Sequence, residues 1–147
     1  MMLQITLIRG LPGSGKTYLA RLLGGPVFSA DDFFVGRDGV YRFDPTHLPR
    51  AHIVCQEGAR AALSRGESPV VANTFTCRWE IQPYVKIAKD AGAILRVIDL
   101  FDSGLDDEAL ASRGVHGVPL KQMQIMRARY EHDWRASDPR PPWERNA

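Results

Sequence analysis

Cysteine is scarce in this chain, and its spacing argues against two classes of protein. The 147 residues contain two cysteines, Cys55 and Cys77. They show no CxxC spacing and no companion histidines at metal-ligand spacing, which disfavours both a disulfide framework and a zinc site. We therefore predict two reduced thiols in the core or at its boundary, as in a cytoplasmic protein.

Long apolar runs are also missing. No segment approaches the roughly 20 residues that a membrane-spanning helix requires. The apolar stretch before Arg9 is too short for a signal peptide, and it leads directly into a glycine-rich segment. These absences predict a cytoplasmic location and no association with a membrane.

The chain has little excess charge of either sign. Its formal net charge is +2, so bulk electrostatics do not indicate nucleic-acid binding. Only four of the 19 basic residues are lysines, which leaves 15 arginines. Arginine suits bidentate phosphate contacts better than lysine does. A genome-wide arginine bias would produce the same skew, so this observation leaves both explanations open.

A phosphate-binding loop (P-loop) stands out against this background. Its pattern, G-x-x-x-x-G-K-[ST], is matched at every fixed position. The eight residues are Gly10, Leu11, Pro12, Gly13, Ser14, Gly15, Lys16 and Thr17. An apolar stretch at 3–8 precedes the loop, and a short helix is predicted at 18–23. This strand–loop–helix context is the one that the motif requires, so we predict that these residues bind ATP or GTP.

Each residue type in the loop has a physical role. The glycines let several backbone N–H groups converge on one anion, and the following helix adds the positive end of its dipole. Lys16 is predicted to reach the β- and γ-phosphates, and the Thr17 hydroxyl to bind Mg²⁺. The predicted cofactors are therefore ATP and Mg²⁺.

Strand and helix signals alternate along the rest of the chain. Further strands are predicted at 27–29, 69–72 and 93–100, and further helices at 45–66, from Trp79 or Pro83 to 91, at 106–112 and from Pro119 onward. This order predicts an α/β fold of the P-loop NTPase, small-kinase type, with a mainly parallel sheet of four or five strands, helices on both faces and a short lid. We expect one domain at 1–137 and an irregular tail at 138–147.

Two helices carry specific predictions about the core. In the first helix, Ala20, Leu22 and Leu23 are expected to face the sheet. In the last helix, an apolar stripe at three- and four-residue spacing is expected to continue past Arg129. That stripe consists of Leu120, Met123, Met126, Tyr130 and Trp134.

Two aspartates follow the second predicted strand. Asp31 and Asp32 would lie at the carboxyl edge of the sheet, where open α/β sheets bind ligands. A carboxylate there can accept a proton from a hydroxyl that attacks the γ-phosphate, and Asp32 could organise Mg²⁺ through water. The alternative is that Asp31 only caps a turn or a helix.

The motifs resemble one family when they are read in order. The segments that carry the resemblance are 9–17, 28–34, 41–44, 51–52, 73–74, 79–80, 83–85, Arg113 and 116–119. Together they are similar to the short P-loop ATP-binding proteins of the polynucleotide 5′-hydroxyl-kinase-like family, which are related to phage polynucleotide kinase and, more distantly, to zeta-toxin kinases. The resemblance extends from about residue 3 to residue 131.

The resemblance implies roles for individual residues. It makes Asp31 the general base, Lys16 and Thr17 the ATP and Mg²⁺ residues, and Arg113 the lid arginine, with His116 beside it. Weaker candidates for the positive charge of the lid are Arg127 and Arg129. Weaker candidates for substrate contact are Phe34, Asn73 and His116.

Two positions depart from the pattern of that family. Relatives carry an aspartate where this chain has Ala72, and phage kinase has an arginine that contacts the acceptor at the position of Phe34. Phe34 could stack on a base, or it could simply pack against the body of the protein.

The sequence therefore predicts an ATP- and Mg²⁺-dependent phosphotransferase that acts on a hydroxyl. The leading acceptor is the 5′-hydroxyl of a nucleic acid. Two alternatives stay open: a kinase for a nucleoside or another metabolite, which the residue at position 34 favours, and a nucleotide-binding module with slow ATPase activity, which Ala72 favours. The oligomeric state is not predicted.

Overall fold

A four-stranded parallel sheet forms the centre of the computed structural model, which describes residues 2–145. Its strands are β1 (Gln4–Gly10), β2 (Val27–Phe28), β3 (Val70–Ala72) and β4 (Ile94–Phe101), in the spatial order β2-β3-β1-β4. Because all pairs are parallel, the four carboxyl ends meet at one edge. The predicted α/β fold with a parallel sheet is confirmed.

Helices cover both faces of this sheet. They are α1 (Lys16–Leu23), α2 (Leu48–Ser64), α3 (Arg78–Ala91), α4 (Asp107–Arg113) and α5 (Leu120–Arg129). Three short 3-10 helices span Ala30–Phe34, Pro45–His47 and Pro142–Glu144. No helix within residues 2–145 is long and apolar enough to cross a bilayer.

Alternation along the strands divides the core into two layers. Ile5 and Leu7 of β1 pack with α2 and α3, in a cluster that includes Ala59 and Tyr84. Ile8 points to the opposite face and packs with α1. This period-two pattern is what a sheet buried on both sides requires.

The predicted inward face of α1 is partly wrong. Ala20 is fully buried, as expected, but Leu22 and Leu23 are exposed. Leu19 packs beside Ala20 instead. The helix begins at Lys16 and ends at Leu23, so its eight residues make just over two turns.

The last helix ends earlier than its apolar stripe predicts. α5 stops at Arg129, and Tyr130 and Trp134 are buried outside the helix. The backbone N–H of Glu131 donates to the carbonyl of Thr76 at 2.7 Å, which turns the chain toward the carboxyl edge of the sheet. A long-range backbone bond thus overrides the helical period.

The predicted C-terminal tail contains one turn of 3-10 helix. Trp143 packs edge-on against Trp79, with ring centroids 5.1 Å apart. Arg145 donates to the Glu131 carboxylate at 3.3 Å. The predicted division after residue 137 stays a prediction, and its last two residues lie outside the described part of the chain.

Arg9 is the largest completely buried side chain. Its guanidinium donates to three backbone carbonyls, those of Phe75, Thr76 and Glu131, at 2.8–3.2 Å. It also forms an ion pair with Asp99 at 3.1 Å. One side chain therefore joins β1 to β4 and to the segments that follow β3 and α5.

We expect Arg9→Met to lower the free energy of unfolding by about 3–5 kcal/mol, because it leaves buried carbonyls and one carboxylate without their donor. Chemical denaturation monitored by circular dichroism measures the loss. Arg96→Met is the matched control, since Arg96 is exposed on β4, and it should change stability by no more than about 0.5 kcal/mol. Equal effects of the two substitutions would contradict a structural role for the Arg9 network.

Candidate active site

The P-loop forms an open concavity between β1 and α1. Gly13 and Gly15 have positive φ values of 84° and 97°, a conformation that favours glycine. A Cβ on Gly13 would lie 2.3 Å from the carbonyl oxygen of Leu110, so this position has no room for a side chain. A Cβ on Gly15 would meet nothing within 4 Å, so the space beside Gly15 is open.

Backbone bonds fix the loop at the carboxyl edge. Gly10 N donates to the carbonyl of Thr74 at 3.2 Å, and Leu11 N donates to the carbonyl of Phe101 at 2.8 Å. The Ser103 hydroxyl donates to the carbonyl of Ser14 at 2.6 Å. The ends of β3 and β4 thus hold the loop from both sides.

Polar groups in the loop are suited to an anion. The hydroxyl oxygen of Ser14 is buried and makes no hydrogen bond within residues 2–145. Lys16 Nζ donates to the carbonyls of Gly10 and Leu11 at 2.9 and 3.1 Å. Burial lowers the pKa of Lys16 to about 8, and the negative charge of Asp31 opposes that shift. The concavity, the hydroxyl and the ammonium group fit the phosphates of a nucleotide.

Asp31 lies in the 3-10 helix directly after β2. The hydroxyl of Ser29 caps this helix by accepting from Asp31 N at 3.2 Å. Asn73, at the end of β3, accepts from Ala30 N at 2.9 Å. Asp31 caps no helix within residues 2–145, and its carboxylate is half exposed. This observation disfavours the alternative that Asp31 is only a capping residue, and its catalytic role stays a prediction.

Asp32 does perform a capping role. Its carboxylate accepts from Ser29 N at 3.2 Å, which completes a capping box. Burial raises the pKa of Asp32, and the charge of Asp31 adds to that effect. Thr17 lies exposed at the start of α1.

Thr17, Asp31 and Asp32 offer the oxygen donors that Mg²⁺ prefers. No cluster of three His, Cys, Asp or Glu side chains able to hold a metal ion occurs within residues 2–145. Mg²⁺ usually keeps several waters and takes one or two protein ligands in addition to the phosphates of its substrate. The available donors therefore fit Mg²⁺ held together with a nucleotide rather than alone.

The predicted lid connects α4 to α5. Arg113 is the last residue of α4 rather than part of the connection, and its side chain has no hydrogen bond or ion pair within the described residues. Arg127 is already engaged: it pairs with Asp102 at 2.7 Å and with Asp107 at 2.8 Å. Arg113 therefore lacks the ion pairs that hold Arg127, and its role at a phosphate stays a prediction.

The weaker arginine candidate and two of the substrate candidates also have structural partners. Arg129 donates to the hydroxyl of Thr76 at 3.1 Å. Phe34 is 6% exposed and packs with Ala30 and Ala51, which favours the packing explanation over base stacking. Asn73 is 7% exposed and uses its side-chain oxygen to hold Ala30 N, so it positions the 3-10 helix that carries Asp31.

His116 and Tyr41 meet at Asp31. The Tyr41 hydroxyl donates to Asp31 Oδ1 at 3.2 Å, and His116 Nε2 lies 3.7 Å from Asp31 Oδ2. His116 was predicted to lie beside the lid arginine, whereas Tyr41 was not predicted to belong to the site. The one sequence signal for Tyr41 is its place in the 41–44 segment of the family pattern.

Comparisons with known proteins agree with this architecture. A family model described as an AAA domain matches residues 5–132. NEDD4-binding protein 2 of Homo sapiens is 36% identical over 137 residues, which cover 88% of this chain and 8% of the human protein. The chain thus spans less than a tenth of the length of this curated relative.

Solved structures share the fold at low sequence identity. In the Pnkp1/Rnl/Hen1 RNA repair complex, one chain superposes with a TM-score of 0.72 at 17% identity, over 93% of this chain and 47% of that one. A gluconokinase from Sinorhizobium meliloti gives 0.52 at 20% identity, over 96% and 79%. The APS kinase CysC of Mycobacterium tuberculosis gives 0.53 at 15% identity, over 87% and 96%. The chain has the fold of a P-loop kinase.

Proposed function

The chain belongs to the AAA domain family, and from that premise we propose that it is a kinase that moves the γ-phosphoryl group of ATP to a hydroxyl. One observation carries the proposal: Asp31 follows β2 and the P-loop follows β1 at the same carboxyl edge of the sheet, and the Asp31 carboxylate is half exposed there. A general base at this position serves a purpose only when a hydroxyl acceptor is present.

The residues divide the work as follows. The P-loop N–H groups and Lys16 bind the β- and γ-phosphates. Thr17 and Asp32 would hold Mg²⁺, which neutralises phosphate charge when it is bound. Asp31 accepts the proton of the attacking hydroxyl, and Arg113 balances the negative charge that develops on the transferred group.

The 5′-hydroxyl of a nucleic acid is the proposed acceptor. The resemblance to polynucleotide 5′-hydroxyl kinases supports it, and so does the shared fold with a chain of an RNA repair complex. Phe33 and Phe43 are exposed aromatic residues on the segment that follows Asp31, a feature suited to single-stranded ends. The expected cytoplasmic location is part of the same proposal.

A small-molecule kinase is the second candidate. The gluconokinase and the APS kinase have the same fold, and Phe34 replaces the arginine expected for contact with an acceptor phosphate. Transfer of label from γ-labelled ATP to a panel of acceptors separates the two. The panel contains 5′-hydroxyl DNA and RNA oligonucleotides, free nucleosides and sugar acids.

Each outcome of this panel has one meaning. Labelled oligonucleotides support the proposed acceptor, and labelling of nucleosides or sugar acids alone supports the second candidate. ATP hydrolysis with no labelled acceptor would overturn the kinase proposal and leave a binding module with slow ATPase activity.

Arg113→Ala should lower kcat by at least about tenfold and change KM for ATP much less, because the arginine acts mainly on charge that develops in the transition state. Steady-state transfer kinetics measure both constants. Arg96→Ala is the control, because Arg96 bonds Gln4 at the opposite edge of the sheet. A steep rise in KM at constant kcat would show that Arg113 holds ATP in the ground state instead.

A further inference from the structure

Tyr41 and His116 form a stacked pair directly over Asp31. Their ring centroids are 3.9 Å apart, and the ring planes differ by 23°. Both side chains also approach the carboxylate: Tyr41 donates to one oxygen, and His116 lies near the other. The imidazole of His116 thus stacks on the ring of Tyr41 and places its Nε2 atom near Asp31. An aromatic ring that carries a polar group can therefore occupy this position.

Backbone pairing and two neighbouring aromatic rings fix the position of Tyr41. It pairs with Val35 in an isolated antiparallel bridge, and the next residue, Arg42, donates from its backbone to the carbonyl of Phe34 at 2.9 Å. Its ring lies edge-on to Phe34 and parallel to Phe43. The position of the tyrosine ring is thus set by the hairpin and its aromatic neighbours and does not depend on the lid.

His116 is held more weakly. It belongs to the connection between α4 and α5, where the neighbouring Val115 is 88% exposed. The 3.7 Å separation from Asp31 is too long for a hydrogen bond, and the imidazole donates none within residues 2–145. Tyr41 is its one aromatic neighbour within residues 2–145, so another flat ring can take its place on that surface.

We propose that this face of Tyr41 is the stacking surface for the aromatic base next to the acceptor hydroxyl, and that His116 covers it until the acceptor displaces the lid. The inference rests on the proposed function in taking Asp31 as the proton acceptor. It selects acceptors that carry a nucleobase beside the hydroxyl, because a sugar acid or an aliphatic alcohol has no ring to stack. It also makes Tyr41 a determinant of specificity.

The chemistry of Tyr41 suits this role. Burial, followed by the charge of Asp31, raises its pKa to about 12, so the ring stays neutral at physiological pH. A base stacked on an aromatic side chain typically gains about tenfold or more in affinity, whereas a pair of protein rings is worth about two- to tenfold. A terminal base can therefore replace His116 on the surface.

Equilibrium binding tests the inference without turnover. Fluorescence anisotropy would measure the affinity for a 5′-hydroxyl oligonucleotide and for the same oligonucleotide with an abasic 5′-terminal residue, both with a non-hydrolysable ATP analogue present. Wild type should bind the intact oligonucleotide about tenfold more tightly than the abasic one. Tyr41→Leu should remove that difference, and Tyr41→Phe should keep it.

Two further variants complete the design. His116→Ala should tighten binding of the intact oligonucleotide a few-fold, because the competing ring is gone. Trp143→Leu is the control, since this exposed aromatic packs on Trp79 rather than near Asp31, and it should bind as wild type does. Should Tyr41→Leu fail to fold, equal affinity of wild type for the intact and abasic oligonucleotides would still overturn the inference.

Several results would overturn the inference. Equal affinity of wild type for the two oligonucleotides would do so, and so would an equal loss on both in Tyr41→Leu. Weaker binding by His116→Ala would show that the imidazole belongs to the acceptor site rather than covering it. Failure of the proposed function gives a different result, namely normal base-dependent binding with no labelled acceptor in the transfer assay.

Discussion

Lys16→Met should lower phosphoryl transfer by about two to three orders of magnitude, the loss typical of removing one group that stabilises transition-state charge. The domain should remain at least as stable as wild type. Lys16 buries a charge whose partners in the fold are two backbone carbonyls of its own loop. Methionine keeps the length of the side chain and removes that charge. Transfer assays and thermal unfolding measure the two effects.

The stability comparison has a defined dependence on pH. The pKa of Lys16 falls from 10.5 in the unfolded chain to about 8 in the fold. Below pH 8 the amine is charged in both states, so burial of the charge disfavours folding in full. Between pH 8 and 10.5 only the unfolded chain keeps the proton, and wild type gains stability as the pH rises. The advantage of Lys16→Met should therefore be largest near pH 7 and shrink above pH 8.

Lys89→Met provides the control, because Lys89 is exposed on α3. It should leave both transfer and the pH dependence of stability unchanged. A wild-type rate of transfer in Lys16→Met would contradict the assignment of residues 10–17 as the phosphate-binding loop. A variant that loses stability below pH 8 would instead contradict the buried-charge account.

Asp31→Asn should lower phosphoryl transfer by about two to four orders of magnitude, within the range for a general acid or base. Affinity for ATP and Mg²⁺ should change little, because an amide keeps the shape of the side chain and can still accept from the Tyr41 hydroxyl. Single-turnover kinetics measure the loss of transfer, and nucleotide titration measures the affinity for ATP and Mg²⁺. Unimpaired transfer would mean that another group takes the proton.

Two neighbouring aspartates serve as comparisons. Asp32→Asn should lose transfer in a way that higher Mg²⁺ concentration partly restores, if Asp32 holds the metal through water. Asp38 lies between Val35 and Tyr41, and its carboxylate pairs with Arg42 at 2.7 Å. Asp38→Asn should therefore transfer phosphate at the wild-type rate. An Asp31 defect that Mg²⁺ also relieved would assign both carboxylates to the metal rather than to the proton.

The sequence predicts the fold well because its strongest signals are local. The P-loop motif fixes the strand before it and the helix after it, and alternating strand and helix patterns leave a parallel sheet as the simple arrangement. The predicted end of the last helix was wrong because a contact between residues far apart in the chain determines it. The stripe through Trp134 is periodic, yet the bond from Glu131 to Thr76 ends the helix first.

The candidate site divides in the same way. Residues 10–17 form the concavity that the motif predicts, and Asp31 follows β2 as its position in the sequence implies. The contact between Tyr41 and His116 joins two segments that are far apart in the chain, so no local pattern reveals it. The ion pairs of Arg127 with Asp102 and Asp107 likewise cannot be predicted from a single sequence.

The close approach of Gly13 to Leu110 has a thermodynamic consequence. The P-loop touches the backbone of α4, and the connection that follows α4 carries His116 to Asp31. Two ligands that bias the same element must influence each other by the same factor in both directions. Whatever an incoming acceptor does to the affinity for ATP, ATP must do to the affinity for the acceptor. Under the proposed function, ATP and the acceptor both contact this element, so each should change the affinity for the other by the same factor.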